Sequence, residues 1–479
     1  MDIMDLASKA IVAMTKNFGK KVNKGDPAPE IPDAAPVSIN GSCWRAGFSS
    51  TDIVPVFPGN GKTYYIAGHG SGHVMDGIIS PAYIHAMWLD CGGDEGILWL
   101  AADVIGLTRI EVNKIRDMIM ASPKIKGCRH INVSCTHSHS GVDTVGYWGK
   151  PNLVSIPSNG RDNDYMDMLM RAAVKISEEA YAAKREGKLY TGRIAVPGGL
   201  CPKRDFVDRH EVLTRMRFVP DDGSEEIWVM NFGGHPNSLG GSNRKFSGEY
   251  PQFMREEIKK SRPVNILFAI GAVGGMDAKI FENTEPLECV KLQGKMLAEK
   301  ALEMTDSREL EPGIRFINQP FYLPISNNVL TLLATRGVMS FKAYPCKEGS
   351  EMGIAIMTEM TYMTFGDQKV LLLPGENFVS TVYGSYNSAE TSATGKGPEI
   401  NPAPLAEICG DPEMISFGVS NDMTGYVVPV NDWVLNPTQP YLNGTRDRFN
   451  KNHYHETNSM GPETQKVIAD TFTKVVKNF

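Results

Sequence analysis

Cysteine, basic charge and long apolar runs are all scarce in this chain. Its eight cysteines among 479 residues form no Cys-x-x-Cys pair. That is too few for a disulfide framework, so free, mostly buried thiols are expected. Acids outnumber bases by 55 to 49, for a net charge of −6. With no basic excess to neutralise phosphates, a nucleic-acid partner is excluded. No apolar run is long enough to cross a bilayer, so no transmembrane segment is expected. The opening MDIMDLASKAIVAMTKNFGKK places acids where an export signal needs positive charge, which predicts a cytoplasmic protein. A Gly-x-Ser-x-Gly elbow is absent, which argues against a serine hydrolase. The glycine-rich His69-Gly70-Ser71-Gly72-His73 lacks the Lys-Ser/Thr of a phosphate loop, so nucleotide binding is rejected and His69 is left as a candidate pocket wall.

What is present reads as a large globular protein. Residues 3–18 place Ile3, Leu6, Ala10, Ile11, Met14 and Phe18 on one helical face, with lysines around it. Asp2 and Asp5 offset that basic charge, so packing is expected rather than a membrane surface. The Pro-rich stretch 25–36 is an extended linker. Residues 1–36 therefore form an arm, a candidate for holding a homo-oligomer together, and residues 37–479 the body. In the body, strand patterns at 96–102, 131–135, 227–231, 264–270, 370–373 and 415–419 alternate with helix patterns at 108–121, 165–182, 249–260 and 287–304. This alternation predicts an α/β fold, a mixed sheet covered by helices, with the active site at the strand ends.

Two strand ends carry histidine. Thr136-His137-Ser138-His139-Ser140-Gly141 closes one, and Gly233-Gly234-His235-Pro236 closes another. In an extended chain, residues two apart face the same side, so His137 and His139 can enter one pocket. Imidazole is the usual nitrogen ligand of zinc. Glu376 follows a buried strand and a Pro-Gly turn, and Tyr426 follows Thr424-Gly425. A turn histidine, a solvated glutamate or a core tyrosine is the bland alternative for each taken alone. Asp103 divides evenly between orienting a ligand histidine and capping the following helix. Cys135 is expected to be a small strand-core residue.

Taken in order, these segments resemble the catalytic domain of the neutral ceramidases, zinc amidases that cleave a fatty acid from a sphingoid base. The family's Thr-His-Thr-His-Ser-Gly resembles residues 136–141, and its His-Pro-Thr-Ser-Met resembles residues 235–239. Its Ser-Gly-Asp resembles Ser247-Gly248-Glu249, and its Pro-Gly-Glu matches residues 374–376. Its Gly-Tyr matches Gly425-Tyr426, and its late Tyr-Glu and Gly-Pro-His-Thr resemble Tyr454-His455-Glu456 and residues 461–464. The resemblance implies one Zn2+ per chain held by His137, His235, Glu376 and Tyr426. It implies His139 as proton donor or oxyanion partner, Tyr454 at the substrate carbonyl, and Arg204 as a further catalytic residue. Such a metal would ionise water near neutral pH for attack on an amide carbonyl, with the oxyanion held by donors around it. One segment departs from the family. Where it has Asn-Ala-Gly-Asp-Val-Ser-Pro-Asn, residues 269–276 have lost the Asp and Ser, and Gly274 stands at the serine position. Gly274 and Gly275 are expected to form an open, backbone-lined substrate wall, suited to a smaller or more polar substrate. The change also leaves room for an esterase, lactonase or sugar-directed hydrolase with the same metal site, or for a binding relative without turnover. Manganese or iron could replace zinc.

Overall fold

The computed structural model describes residues 3–56, 61–153, 156–204 and 207–479; Asp2 lies outside them. The strand Tyr83–Asp90 shows how the layers arise. Its side chains alternate, so Ile84, Ala86 and Trp88 face one way while Met87 and Leu89 face the other. It belongs to a nine-stranded sheet whose main order is 264–270, 226–232, 212–220, 185–195, 44–52, 83–90, 96–102, 128–135. Two pairs are parallel, 226–232 with 264–270 and 96–102 with 128–135, and the other pairings are antiparallel. One face of this sheet is covered by helices. The helix Asn163–Ala182 starts at Asp162, whose side chain accepts from Tyr165 N at 2.8 Å, a standard N-cap worth about 1 kcal/mol. It buries Tyr165, Leu169, Ala173, Ile176 and Ala180 at helical spacing.

The other face meets a second, six-stranded sheet built on Val37–Asn40, Gly313–Ile325, Ile354–Phe365, Gln368–Leu372 and Ile415–Phe417. Trp99 of the first sheet packs edge-on to Phe417 at 4.7 Å and stacks on Phe365 at 6.3 Å, both from the second. Such ring pairs add about 0.5–1.5 kcal/mol beyond their buried area. The helix Thr464–Asn478 covers the far side, with Phe472 against Tyr362. The protein is thus a mixed α/β fold, as expected, but its sheets are stacked in pairs.

The arm lies on the body. Tyr322 donates to Pro29 O, and Gln319 accepts from Ala34 N. The helix Ile3–Val22 packs, but not through the expected face. Ser8, Ile11, Thr15 and Gly19 are buried, while Ile3, Leu6 and Met14 are exposed. Gly19 decides this: a Cβ there would lie 1.9 Å from Met352 O, so only the small-residue face can approach so closely.

At one end the sheets are stitched together. Cys135 N donates to Val419 O, Asn421 N to Val133 O, and Gly418 N to Ile270 O. The segments that leave the parallel strand pairs converge there.

Candidate metal centre

His137 follows the strand Cys128–Cys135 in a left-handed backbone conformation, φ 63°. The expected extended His-x-His geometry is therefore absent, yet both rings still face one space, with centroids 4.9 Å apart. The turn aims the His137 ring, and its Nδ1 donates to Ile105 O at 2.6 Å. His235 is held in the same way. Its backbone N–H and its Nδ1 both donate to Met276 O, at 2.9 and 2.8 Å.

These bonds fix the chemistry of the other ring atoms. A carbonyl only accepts, so each Nδ1 carries the proton and a neutral ring presents a lone pair at Nε2. Both Nε2 atoms point at a single atom, Glu376 Oε2, from 3.2 Å for His137 and 3.1 Å for His235. Three lone-pair atoms this close repel unless positive charge lies among them. Two extra protons would supply it, but charging two buried imidazoles costs several kcal/mol each in desolvation. A single divalent cation supplies the same charge at one point. A tetrahedral zinc site with bonds of about 2.0–2.1 Å has ligand–ligand edges of about 3.3 Å, close to the spacing observed. The donor set of imidazole and carboxylate suits zinc, and also iron or manganese.

Local electrostatics follow the same charge logic. Burial alone would raise the Glu376 carboxyl, but the His137 and His235 rings hold it well below the ordinary carboxylate range. Burial works against a charged His235, yet Glu376 carries that imidazole above its usual value.

His139 is the third histidine of a buried cluster with His137 and His235, and their ligand atoms lie within 4.8 Å of one another. These three residues could hold a metal ion. Neither His139 ring nitrogen has a hydrogen-bond partner. Burial first, then the neighbouring His137 and His235, push it well below the usual histidine value. Gly68 makes room for the ring: at φ +101°, a Cβ there would sit 2.4 Å from His139 Cγ.

Tyr426 pairs with Glu376 in parallel register. Its buried hydroxyl lies near Glu376, and burial followed by that carboxylate's charge raises it well above the ordinary phenol. Tyr454 stacks on His455 at 4.1 Å and stands edge-on to Tyr426 at 6.4 Å. His137, His139, Glu376, Tyr426, Tyr454 and His69 line one cavity of about 260 Å³, with His235 behind His137 and Glu376. The rest of its lining is largely apolar, with Ile105, Val145, Tyr147, Trp148, Leu330, Met339, Met423 and Met460.

Three sequence candidates sit elsewhere. Arg204 does not reach the cavity. It is buried, with one guanidinium nitrogen donating to both Glu456 carboxylate oxygens at 2.8 and 2.9 Å, and packs over Phe378. Through Glu456 it fixes the short helix His455–Asn458 beside Tyr454, so its place is behind the site. Gly274 and Gly275 form no open wall. Both are buried, and Gly274 N donates to Asn377 O at 2.9 Å. A Cβ on Gly274 would meet Phe378 Cδ2 at 2.5 Å and Phe378 N at 2.7 Å. The glycine is needed where the two segments close on each other.

Asp103 accepts from Tyr83 N and pairs with Arg255, away from the histidines. Cys135 is in the core, its thiol pushed up to about 12 by burial. Sequence patterns missed the carboxyl of Glu249 as a connector. It accepts from Ser140 Oγ at 2.6 Å and faces the amides of Ser238 and Leu239, joining both histidine loops. Its only prior signal was the Ser-Gly-Glu triplet. The apolar wall was also missed, because it comes from loops without periodicity.

Comparison with known proteins gives the fold a relative. No family model matches the chain, and no curated protein matches it in sequence. Among solved structures, the neutral ceramidase from Pseudomonas aeruginosa superposes with a TM-score of 0.65 at 14% identity, covering 91% of this chain and 74% of that one. A ceramidase complexed with C2 gives a TM-score of 0.65 at 13% identity, covering 91% and 75%. The chain therefore has a ceramidase-like fold.

Proposed function

We propose that the protein is a zinc-dependent hydrolase, one Zn2+ per chain, acting on the amide bond of a small or lipid-like substrate. The observation that carries this is the convergence of His137 Nε2, His235 Nε2 and Glu376 Oε2 with both Nδ1 protons already committed. His137, His235 and Glu376 would hold the metal, with Tyr426 beside them. Bound there, the ion would supply Lewis-acid activation of water and of the substrate carbonyl.

The remaining steps belong to the chain's own side chains. The apolar wall takes the acyl portion. A cavity of about 260 Å³ sits just under the usual range of about 300–1,000 Å³ for ligand pockets, which favours a short acyl chain. The Tyr454 hydroxyl lines the cavity and can donate to the carbonyl oxygen as negative charge develops there. His139, with both ring nitrogens unengaged, can accept the proton released by the attacking water and return it to the leaving amine nitrogen. The C–N bond breaks as the amine is protonated, giving a carboxylic acid and an amine.

The test is metal analysis of the purified chain with turnover on matched short and long N-acyl amides and the corresponding esters. The proposal expects about one metal per chain, loss of turnover in chelator, and preference for short amides. Ester-only turnover would replace the amidase with an esterase on the same site. Undiminished turnover after complete metal removal would overturn the metal mechanism. The fold likeness to ceramidases supports the amide reading.

A further inference from the structure

The helix Ile3–Val22 carries a second apolar face besides the one it packs on its own domain. Ser8, Ile11, Thr15 and Gly19 are buried, and the helix packs on the helix Asn328–Thr335 and the strand Ala343–Pro345. The close approach of Gly19 to Met352 O fixes that orientation. Ile11 is buried and Phe18 and Val22 pack against the core, but three other large apolar residues face out. Ile3 is 71% exposed, Leu6 49% and Met14 44%, with Ala10 and Ala13 exposed between them. Single exposed apolar residues are ordinary. A line of them on successive helical turns marks a contact surface.

Charge selects the partner. Residues 1–24 carry five lysines against two aspartates, a local excess of three positive charges in a chain of net charge −6. By helical spacing, Lys9, Lys16 and Lys20 run along one edge of the ridge, and Lys21 and Lys24 close its C-terminal end; all five are exposed. Asp5 is turned to Gln439, which donates to it at 2.7 Å. An apolar ridge edged with lysine fits the boundary between headgroups and acyl chains in an anionic bilayer. A second copy fits less well, because an antiparallel twofold contact through this ridge sets the lysine rows beside each other.

We propose that this helix is a docking surface for an anionic lipid bilayer. No helix among the described residues is long and apolar enough to cross a membrane, so the binding is peripheral and reversible. The inference stands independently of the metal.

The experiment is flotation of the full chain with vesicles of phosphatidylcholine alone and of phosphatidylcholine with phosphatidylserine, at low and high salt, alongside sedimentation velocity. The expected result is binding to the anionic vesicles only, released by salt. Binding should weaken about tenfold or more both in Leu6→Glu/Met14→Glu and in Lys16→Glu/Lys20→Glu. All four positions are on the surface, and an unchanged melt verifies folding. No vesicle binding, or equal binding to both compositions, would overturn the proposal. So would a dimer that the Leu6→Glu/Met14→Glu variant dissolves.

Discussion

A left-handed φ at His137 costs a non-glycine residue of order 1–3 kcal/mol, and such strain persists where surrounding structure enforces it. Here the enforcement is the Ile105 carbonyl, which takes the ring proton. The His-x-His spacing was legible in the sequence, but the geometric reason for its convergence was not, because an extended chain was assumed and a turn was found. Single side chains allow two direct tests. Gly68→Ala places a methyl against the His139 ring and demands a positive φ. It should destabilise the fold by about 1–3 kcal/mol and lower kcat at least tenfold, checked by denaturant titration and kinetics on the same sample. Gly274→Ser puts back the residue type expected at that position, yet its Cβ collides with Phe378. It should cost about 1–3 kcal/mol from overpacking and should not raise turnover. A gain in activity without loss of stability would show that the glycine sits in an open wall after all.

At the scale of elements, long periodic segments were readable and polar or proline-bearing strands were not. The helix Asn163–Ala182 and the strand Gly96–Ala102 match their patterns closely. The strand Gly313–Ile325 does not read as one, because Pro320 and Pro324 interrupt it. They are tolerated because Val37–Asn40 pairs only with residues 313–316. Beyond them that edge needs no ladder donors. The turns joining elements carry the least signal, and Glu249 sits in one of them. It begins the helix Glu249–Ser261 with φ 54°, and burial raises its carboxyl to about 7. For an acid raised in the folded state, the protonated form favours folding. Its contribution is fully present below the ordinary value of 4.5 and is lost as pH rises toward about 7. Across 2.5 pH units this amounts to about 3 kcal/mol. Glu249→Gln, which stays neutral and can still accept from Ser140, should therefore be more stable than the parent at pH 8. The difference should vanish near pH 4.5, as read from urea midpoints at both values. A pH-independent difference would mean that the carboxyl does not titrate in this range.

Over the whole molecule, the candidate centre joins the two sheets. His137 and His235 leave the nine-stranded sheet, while Glu376 and Tyr426 follow strands of the six-stranded one. The stacked layers were not foreseen from the sequence, because a strand's pattern shows that its faces are buried and not what buries them. A cation bound at this seam would stabilise the folded state by about 4 kcal/mol when present at 1,000 times its dissociation constant. Chelation should accordingly lower Tm by several degrees, reversibly on adding zinc, in differential scanning calorimetry. The most direct measurement is anomalous scattering from crystals of the purified chain. The account predicts a single strong peak about 2.0–2.2 Å from His137 Nε2, His235 Nε2 and Glu376 Oε2 alike. Crystals grown with zinc that give no peak among these three atoms, or a peak elsewhere, would contradict it.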